Sequence, residues 1–403
     1  MTAASMRPLL SLTALLVIIQ VALSADGPNP GPGRPPAGTP GPWDADVVVY
    51  RASTDGKIEK TATFERAGVP TVARMKDGRL ITAHQYFPEN DRENFDKVAV
   101  HFSSDEGKTW TPPEVLRLKG LPAEMRYPFD PTLMPLPDGR IRLYFTSLIG
   151  RRFEEHVPAI YSAISTNGLD YTFEPGVRFG VKGRFVIDCA VALHKGVFHL
   201  YSPDNGAQEQ GNTRGGPPKM EGQEGVGYHA TSTDGLNFTR QADVKLEGNR
   251  RWLGGAQSDG KVITFYGTGL PLGFTPTPGQ RGGNLWMATS SDGQAWQLVK
   301  SPLVMGADPG AVTLKDGGLL IVMTGEPRPG TASANRRPNN GGENFRPVII
   351  MPLMKALDGN NDGMLDAEEL ANATAALRTL DRDGNGRLSG DEFRPPNVGQ
   401  PQR

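Results

Sequence analysis

A mainly β fold, a ring of similar sheets with a small helical module after it, is predicted by three observations in this 403-residue sequence. A short hairpin turn recurs five times, a different turn recurs in phase with it, and residues 347–403 change character to acidic loops. Regular recurrence at intervals of this size is the mark of a repeat architecture.

The first turn is Asp77-Gly78, Asp138-Gly139, Lys195-Gly196, Asp259-Gly260 and Asp316-Gly317, at intervals of 61, 57, 64 and 57 residues. Each lies between aliphatic and β-branched runs, such as TVARM before the first and RLITAH after it. That composition suits buried strands joined by a tight hairpin. Each repeat therefore supplies an inner strand pair.

The second turn reads Ser, any residue, Asp or Asn, Gly, two residues, aromatic. It occurs at Ser165–Tyr171, Ser232–Phe238 and Ser290–Trp296, and with one extra residue at Ser103–Trp110. The Asp or Asn side chain accepts turn N–H groups, Gly takes positive φ, and the aromatic packs inward. The fifth inner hairpin has no such turn after it, whereas an unpaired Ser53-Thr54-Asp55-Gly56 stands at the other end of the chain. If the N-terminal strands complete the last sheet, the ring closes without a free edge. The prediction is a five-bladed β-propeller.

Composition is compatible with this and narrows function. Lys+Arg 43 against Asp+Glu 44 gives a net charge of -1, so no global field draws in nucleic acid or an anionic membrane. Gly 50 and Pro 35 fit a chain rich in connections, and 37% hydrophobic residues fit a packed core. The only cysteine, Cys189, excludes an intramolecular disulfide and a Cys-rich metal site, and reads as a small buried hydrophobe.

Arg7 followed by the apolar stretch Leu9–Leu23 and by Ser24-Ala25 reads as an export signal over residues 1–25. It is short for a membrane span, so no stable insertion is expected after its removal and the mature chain is expected to be secreted or periplasmic. Residues 26–42 are a Pro/Gly-rich linker, 43–346 the propeller, 347–395 the helical pair and 396–403 a disordered tail.

The unit Ser103–Trp110, Ser-x-Asp-x-Gly-x-x-Trp, resembles the Asp-box of sialidases, and the stretch from Arg66 through Trp110 resembles the opening of a sialidase-type domain. The resemblance implies a glycoside-processing site, six blades as the alternative to five, and a substrate-binding role for Arg66. Here the family's Arg-Ile-Pro is replaced by Arg66-Ala67-Gly68-Val69-Pro70. Five blades resemble instead the arabinanase-like glycoside hydrolases, whose carboxylates sit on successive inner strands.

In such a ring the long connections, 87–97, 148–158, 203–226, 269–283 and 325–346, fall on one face, where the inner strands begin. Asp130 in FDPTL, Asp188 in IDCAV and Asp308 in ADPGAV lie at that end. Three carboxylates converging on a channel supply a general acid, a base or nucleophile, and a third group that tunes them; equally, repeated aspartates cap turns between blades. Arg126 and Arg184, four residues before two of them, hold an anionic substrate or neutralise buried aspartates. His84, His156, Glu326, Glu89, Asp91 and Asp96 are expected near the same face, and an acid/base is sought between Asp91 and Asp96.

Residues 358–369, DGNNDGMLDAEE, place Asp358, Asn360, Asp362, Met364 (through its carbonyl), Asp366 and Glu369 at the ligand positions of a twelve-residue calcium loop. Residues 381–392, DRDGNGRLSGDE, repeat the pattern with Asp381, Asp383, Asn385, Arg387 (carbonyl), Ser389 and Glu392. Hard oxygens at this spacing wrap Ca²⁺. The pair resembles EF-hands, and its close spacing resembles dockerins; residues 370–380 are left as one helix serving both loops. Pro395-Pro396 ends the second exiting helix, which argues against a groove-opening switch. Two functions remain open: a secreted calcium-binding glycoside hydrolase acting on extracellular glycans, or a non-catalytic propeller that binds carbohydrate or protein and carries a calcium-dependent attachment module.

Overall fold

The computed structural model describes residues 42–149, 157–206, 225–248, 250–269, 271, 283–328, 356–357, 367–381 and 384–388. They fall in two compact units, the ring up to Arg328 and the residues from 356 onward.

The ring has five sheets. The chain begins with β1 (Ala45–Ala52) and β2 (Ile58–Phe64), then forms the first blade from β3 (Ala67–Arg74), β4 (Leu80–Tyr86), β5 (Lys97–Ser103) and β6 (Glu114–Val115). The second blade contains β8 (Phe129–Pro135), β9 (Ile141–Ser147), β10 (Ala159–Ser165) and β11 (Asp170–Phe179), and β7 (Arg117–Lys119) joins its outer edge parallel to β11. The sequence carried no sign of that fifth strand. The third blade is β12 (Ala190–His194), β13 (Val197–Pro203) and β14 (Val226–Ser232), with two short outer strands, β15 (Thr239–Arg240) and β16 (Val244–Lys245). The fourth is β17 (Arg250–Ser258), β18 (Ile263–Gly269), β19 (Asn284–Ser290) and β20 (Gln297–Val299). The fifth takes β21 (Ala307–Thr313) and β22 (Leu319–Pro327) from the end of the ring and β1 and β2 from its start, in the order β2-β1-β22-β21.

The predicted closure is therefore present, with five blades rather than the six of the alternative. β1 runs antiparallel to β22 with Val48 opposite Met323, Tyr50 opposite Ile321 and Ala52 opposite Leu319. An ion pair of 2.5 Å between Arg51 and Asp316 adds to the closure.

Every sheet is sandwiched between two others, and the apolar core is divided accordingly. Five clusters of buried residues lie at the five blade boundaries; Ile81, Val100, Leu143 and Phe145 meet between blades one and two, and Val47, Val49, Leu80 and Leu320 between five and one. Strands buried on both faces read as continuous apolar runs. This is why β4 and β9 show no alternation.

The second kind of turn is also built as its residues require. Ser103 Oγ donates to Asp105 Oδ1 at 2.8 Å and accepts the Gly107 amide, while the Trp110 indole donates to the Gly107 carbonyl at 3.1 Å. The same bonds recur at Ser290, Asp292, Gly293 and Trp296. Gly107 has φ 81°, and a Cβ there would sit 2.3 Å from Leu320 of the neighbouring blade. Glycine is required both for the turn and for the approach of the blades.

In the second unit, α1 (Ala367–Arg378) occupies the stretch expected as the shared helix, starting three residues earlier. Its C-terminus tightens into i→i−3 bonds at Thr379, Leu380 and Asp381. Among the described residues, no helix is long and apolar enough to cross a membrane.

Candidate active site

The inner strands do not run straight to the loop face. Their registers break between Gly68 and Thr71, Phe129 and Thr132, Arg251 and Gly254, and Ala307 and Gly310. At these breaks, and just before β12, the backbone turns left-handed: φ is 50° at Val69, 49° at Asp130, 65° at Asp188, 52° at Asp308 and 147° at Gly254. A left-handed non-glycine residue costs on the order of 1–3 kcal/mol unless its surroundings hold it. Here hydroxyls of the preceding blade do so. The amides of Val69, Asp188 and Asp308 donate to Thr324, Thr146 and Thr268 at 2.8, 3.0 and 3.0 Å.

Three of the five bulge residues are thus the three aspartates singled out from the sequence. Asp130 is buried and Asp188 and Asp308 are half-buried. Asp188 and Asp308 line a narrow axial cavity together with Pro131, Thr132, Leu253 and Gly254. Burial, with the Asp308 charge in second place, pushes the Asp130 carboxyl up to about 7; Arg126 and a hydrogen bond from Thr146 oppose this. Burial and the charges of Asp130 and Asp308 raise Asp188 well above the usual carboxylate range. Asp308 is also raised by burial, against a 3.1 Å hydrogen bond from Thr324 and the nearby charge of Arg251. The three carboxyls sense one another in unlike surroundings. Among the described residues, no three His, Cys, Asp or Glu side chains are grouped closely enough to hold a metal ion.

The three predicted arginines each face a carboxylate of their own. Arg66 bonds to Glu89, Arg126 pairs with Asp96 at 2.9 Å and lies 4.3 Å over the Phe129 ring, and Arg184 grips Asp204 with bonds of 2.6 and 2.7 Å. Arg126 and Arg184 are thus each placed in an ion pair. Their direct partners are Asp96 and Asp204, and the charge of Arg126 also reaches Asp130.

Of the candidates in the first loop, Asp96 sits beside Arg126, its carboxyl raised by burial, whereas Asp91 is exposed and bonded to Asn94. His84 departs from expectation. It is fully buried between blades, stacked with Phe64 and His101, and burial pushes its imidazole down to about 3. Glu326 is exposed at the end of β22. His156 and most of the connections 148–158, 203–226, 269–283 and 325–346 lie outside the described residues. Cys189 is buried in the apolar layer between blades two and three, and burial raises its thiol.

Sequence reasoning missed a group beside Asp188. Asp204 and Asn205 directly follow β13; Tyr228 donates to Asp204 at 2.7 Å, and Arg251 donates to Asn205 Oδ1 at 2.7 Å. The Asp-Asn pair immediately after a strand at the loop face was the available signal.

In the C-terminal unit, Asp381 accepts the amides of Asn385 and Gly386 at 3.1 and 2.8 Å, and Asn385 Oδ1 accepts that of Arg387 at 2.8 Å. Gly384 and Gly386 are left-handed. Glu369 lies half-buried on α1. The remaining ligand positions, Asp358, Asn360, Asp362, Met364, Asp366, Asp383, Ser389 and Glu392, lie outside the described residues.

Residues 350–372 and 374–394 match the EF hand family. Among curated proteins none matches the sequence. The fold is similar to that of an N-acetylgalactosamine deacetylase from F. plautii, solved with blood group B trisaccharide, at 13% identity and a TM-score of 0.45 over 69% of this chain and 85% of that one. It is also similar to an α-L-arabinofuranosidase (CtGH43) of Clostridium thermocellum (11%, TM-score 0.42, 63% and 80%). A third likeness is to an α-L-arabinanase of Penicillium chrysogenum (17%, TM-score 0.40, 69% and 79%). These likenesses concern the path of the chain and carry no assignment of chemistry.

Proposed function

We propose that the ring is a glycoside hydrolase acting on extracellular glycans, that Asp130 is its general acid, and that Asp188 and Asp308 supply the base or nucleophile and the tuning carboxyl. The observation that carries this reading is the placement of three aspartates at one recurrent left-handed bulge, coupled to one another around the axis in unlike environments. Glycoside hydrolysis needs a protonated carboxyl to give its proton to the leaving oxygen and a second carboxylate to activate water or attack the sugar. A group titrating near 7 keeps its proton in about half of the molecules at neutral pH and releases it readily. Asp308 is raised by burial alone, with Thr324 and Arg251 opposing, whereas Asp130 is raised further by the charges of Asp308 and Asp96. The Ser-x-Asp-x-Gly turns support a sialidase-type kinship for the blades.

The EF-hand matches support calcium binding by the C-terminal unit. Asp358, Asn360, Asp362, Asp366 and Glu369 would hold one ion, with Met364 through its carbonyl. Asp381, Asp383, Asn385, Ser389 and Glu392 would hold the other, with Arg387 through its carbonyl. The turn around Asp381 fits that role. The apolar stretch Leu9–Leu23 after Arg7 supports the reading of an export signal and of a secreted or periplasmic chain. The test is a panel of chromogenic glycosides offered to the full chain and to Asp130→Asn and Asp188→Asn. Hydrolysis lost in both variants supports the reading; hydrolysis indifferent to both removes these residues from it. Glycan binding without turnover would favour the non-catalytic alternative.

A further inference from the structure

We propose that Arg251 is an anchor for a negatively charged group on the ligand, so that the axial site takes a carboxylate- or sulfate-bearing saccharide in preference to a neutral one. The inference rests on the reading above for the site and for saccharide as ligand, and adds the substrate class. Four arginines of the loop face have been described. Three are internally compensated: Arg66 by Glu89, Arg126 by Asp96 and Arg184 by Asp204. Arg251 has no carboxylate at ion-pair distance among the described residues; its charge reaches Asp188 and Asp308 without contact, and it is exposed.

Its position is nevertheless fixed. The guanidinium donates to Asn205 Oδ1 at 2.7 Å, and Asn205, only 4% exposed, donates from Nδ2 to the Ile187 carbonyl at 2.9 Å, one residue before Asp188. A neutral amide orients the guanidinium without cancelling its charge. Arg251 lies at the start of β17, just ahead of Leu253 and Gly254, which line the axial cavity. The fourth blade has glycine where three other blades have aspartate at the left-handed position, because a Cβ at Gly254 would meet the Tyr266 carbonyl at 2.1 Å. That blade's charged contribution to the site is therefore Arg251. A guanidinium presents a rigid fork of N–H donors matched to the paired oxygens of a carboxylate or sulfate. The burial-raised aspartates favour their neutral forms and so oppose an anion less than three full charges would.

The test measures binding by calorimetry to the full-length Asp130→Asn protein, which keeps the ligand intact. Its probes are uronate oligosaccharides, sulfated oligosaccharides and neutral oligosaccharides of the same length. Uronate or sulfated probes are expected to bind at least tenfold more tightly than the neutral set. Adding Arg251→Gln should erase that preference while neutral binding stays, and adding Arg251→Lys should restore part of it. Equal binding of acidic and neutral probes, no binding of any probe, or a preference that survives Arg251→Gln would each overturn the proposal. Uronate against sulfate preference identifies the anion. Charge-selective binding by a chain that hydrolyses no glycoside would sink the hydrolase reading alone; hydrolysis of neutral glycosides without acid preference would sink the anchor alone.

Discussion

The amide of Asp188 donates to the hydroxyl of Thr146 across the boundary between the second and third blades. The same hydroxyl also favours the ionised form of the Asp130 carboxyl, so one side chain bears on two bulges. Thr146→Val keeps the shape and removes the acceptor, leaving a buried amide unsatisfied, which costs about 1–3 kcal/mol. Thr146→Ser should recover most of the loss. Chemical denaturation of the two variants checks this, and equal stabilities would show that the hydroxyl does not hold the bulge.

Asp130→Asn is expected to separate stability from activity. It removes a charge that burial and Asp308 both disfavour, so at pH 8 the variant should be more stable by on the order of 1 kcal/mol while losing hydrolysis. A lower melting temperature in the variant would contradict the account of Asp130 as a strained acid.

Acid should weaken the ring through its blade boundaries. Burial pushes His84 down to about 3 and His199 to about 4, and lowers His101 and His229, with a neighbouring imidazole adding to the effect at His84 and His199. The unfolded chain binds their protons near pH 6.5, before the folded chain does. Stability is therefore complete above that value and falls as pH drops from about 6.5 toward 4 and 3, by up to about 1.4 kcal/mol per pH unit for each histidine. Asp130 works in the opposite sense, since its folded pKa is raised and the folded chain takes up its proton first as pH falls from about 7 to 4. Melting temperatures should thus fall more steeply with acid in Asp130→Asn than in the native chain, and less steeply in His84→Phe.

Leu320→Ala, in the fully buried layer between the fifth and first blades, is expected to cost about 2–5 kcal/mol. Asp316→Ala, which breaks the exposed pair with Arg51, should cost no more than about 1 kcal/mol. Urea titration distinguishes them; similar losses would mean that closure depends on charge more than on packing.

Chelation of the full chain should reduce the helical signal in circular dichroism and leave the β signal in place, because acidic loops repel themselves without a cation. Asp381→Ala should lower calcium stoichiometry by one ion per chain. Unchanged helicity and no calorimetric heat with Ca²⁺ would refute the assignment.

The ring was legible because turns announce themselves. Asp-Gly and Ser-x-Asp-x-Gly recur in phase, and the orphan Ser53-Thr54-Asp55-Gly56 required a partner, which β22 provides. The three aspartates were legible for the same reason, as recurrences at one point of the repeat. Side-chain direction was not. β4 is buried on both faces, so no alternation shows which way His84 points, and it faces a blade boundary in place of the axis. Arg251 was invisible because it does not recur from blade to blade, and the pairing of β7 with β11 joins residues about 50 positions apart that carry no shared pattern.

The latch formed by β1 and β22 joins segments roughly 270 positions apart. On a ribosome the first strands have no sheet to join until nearly the whole ring has been made. Blades one to four can assemble locally in the meantime, but the circle stays open and its leading strands remain extended.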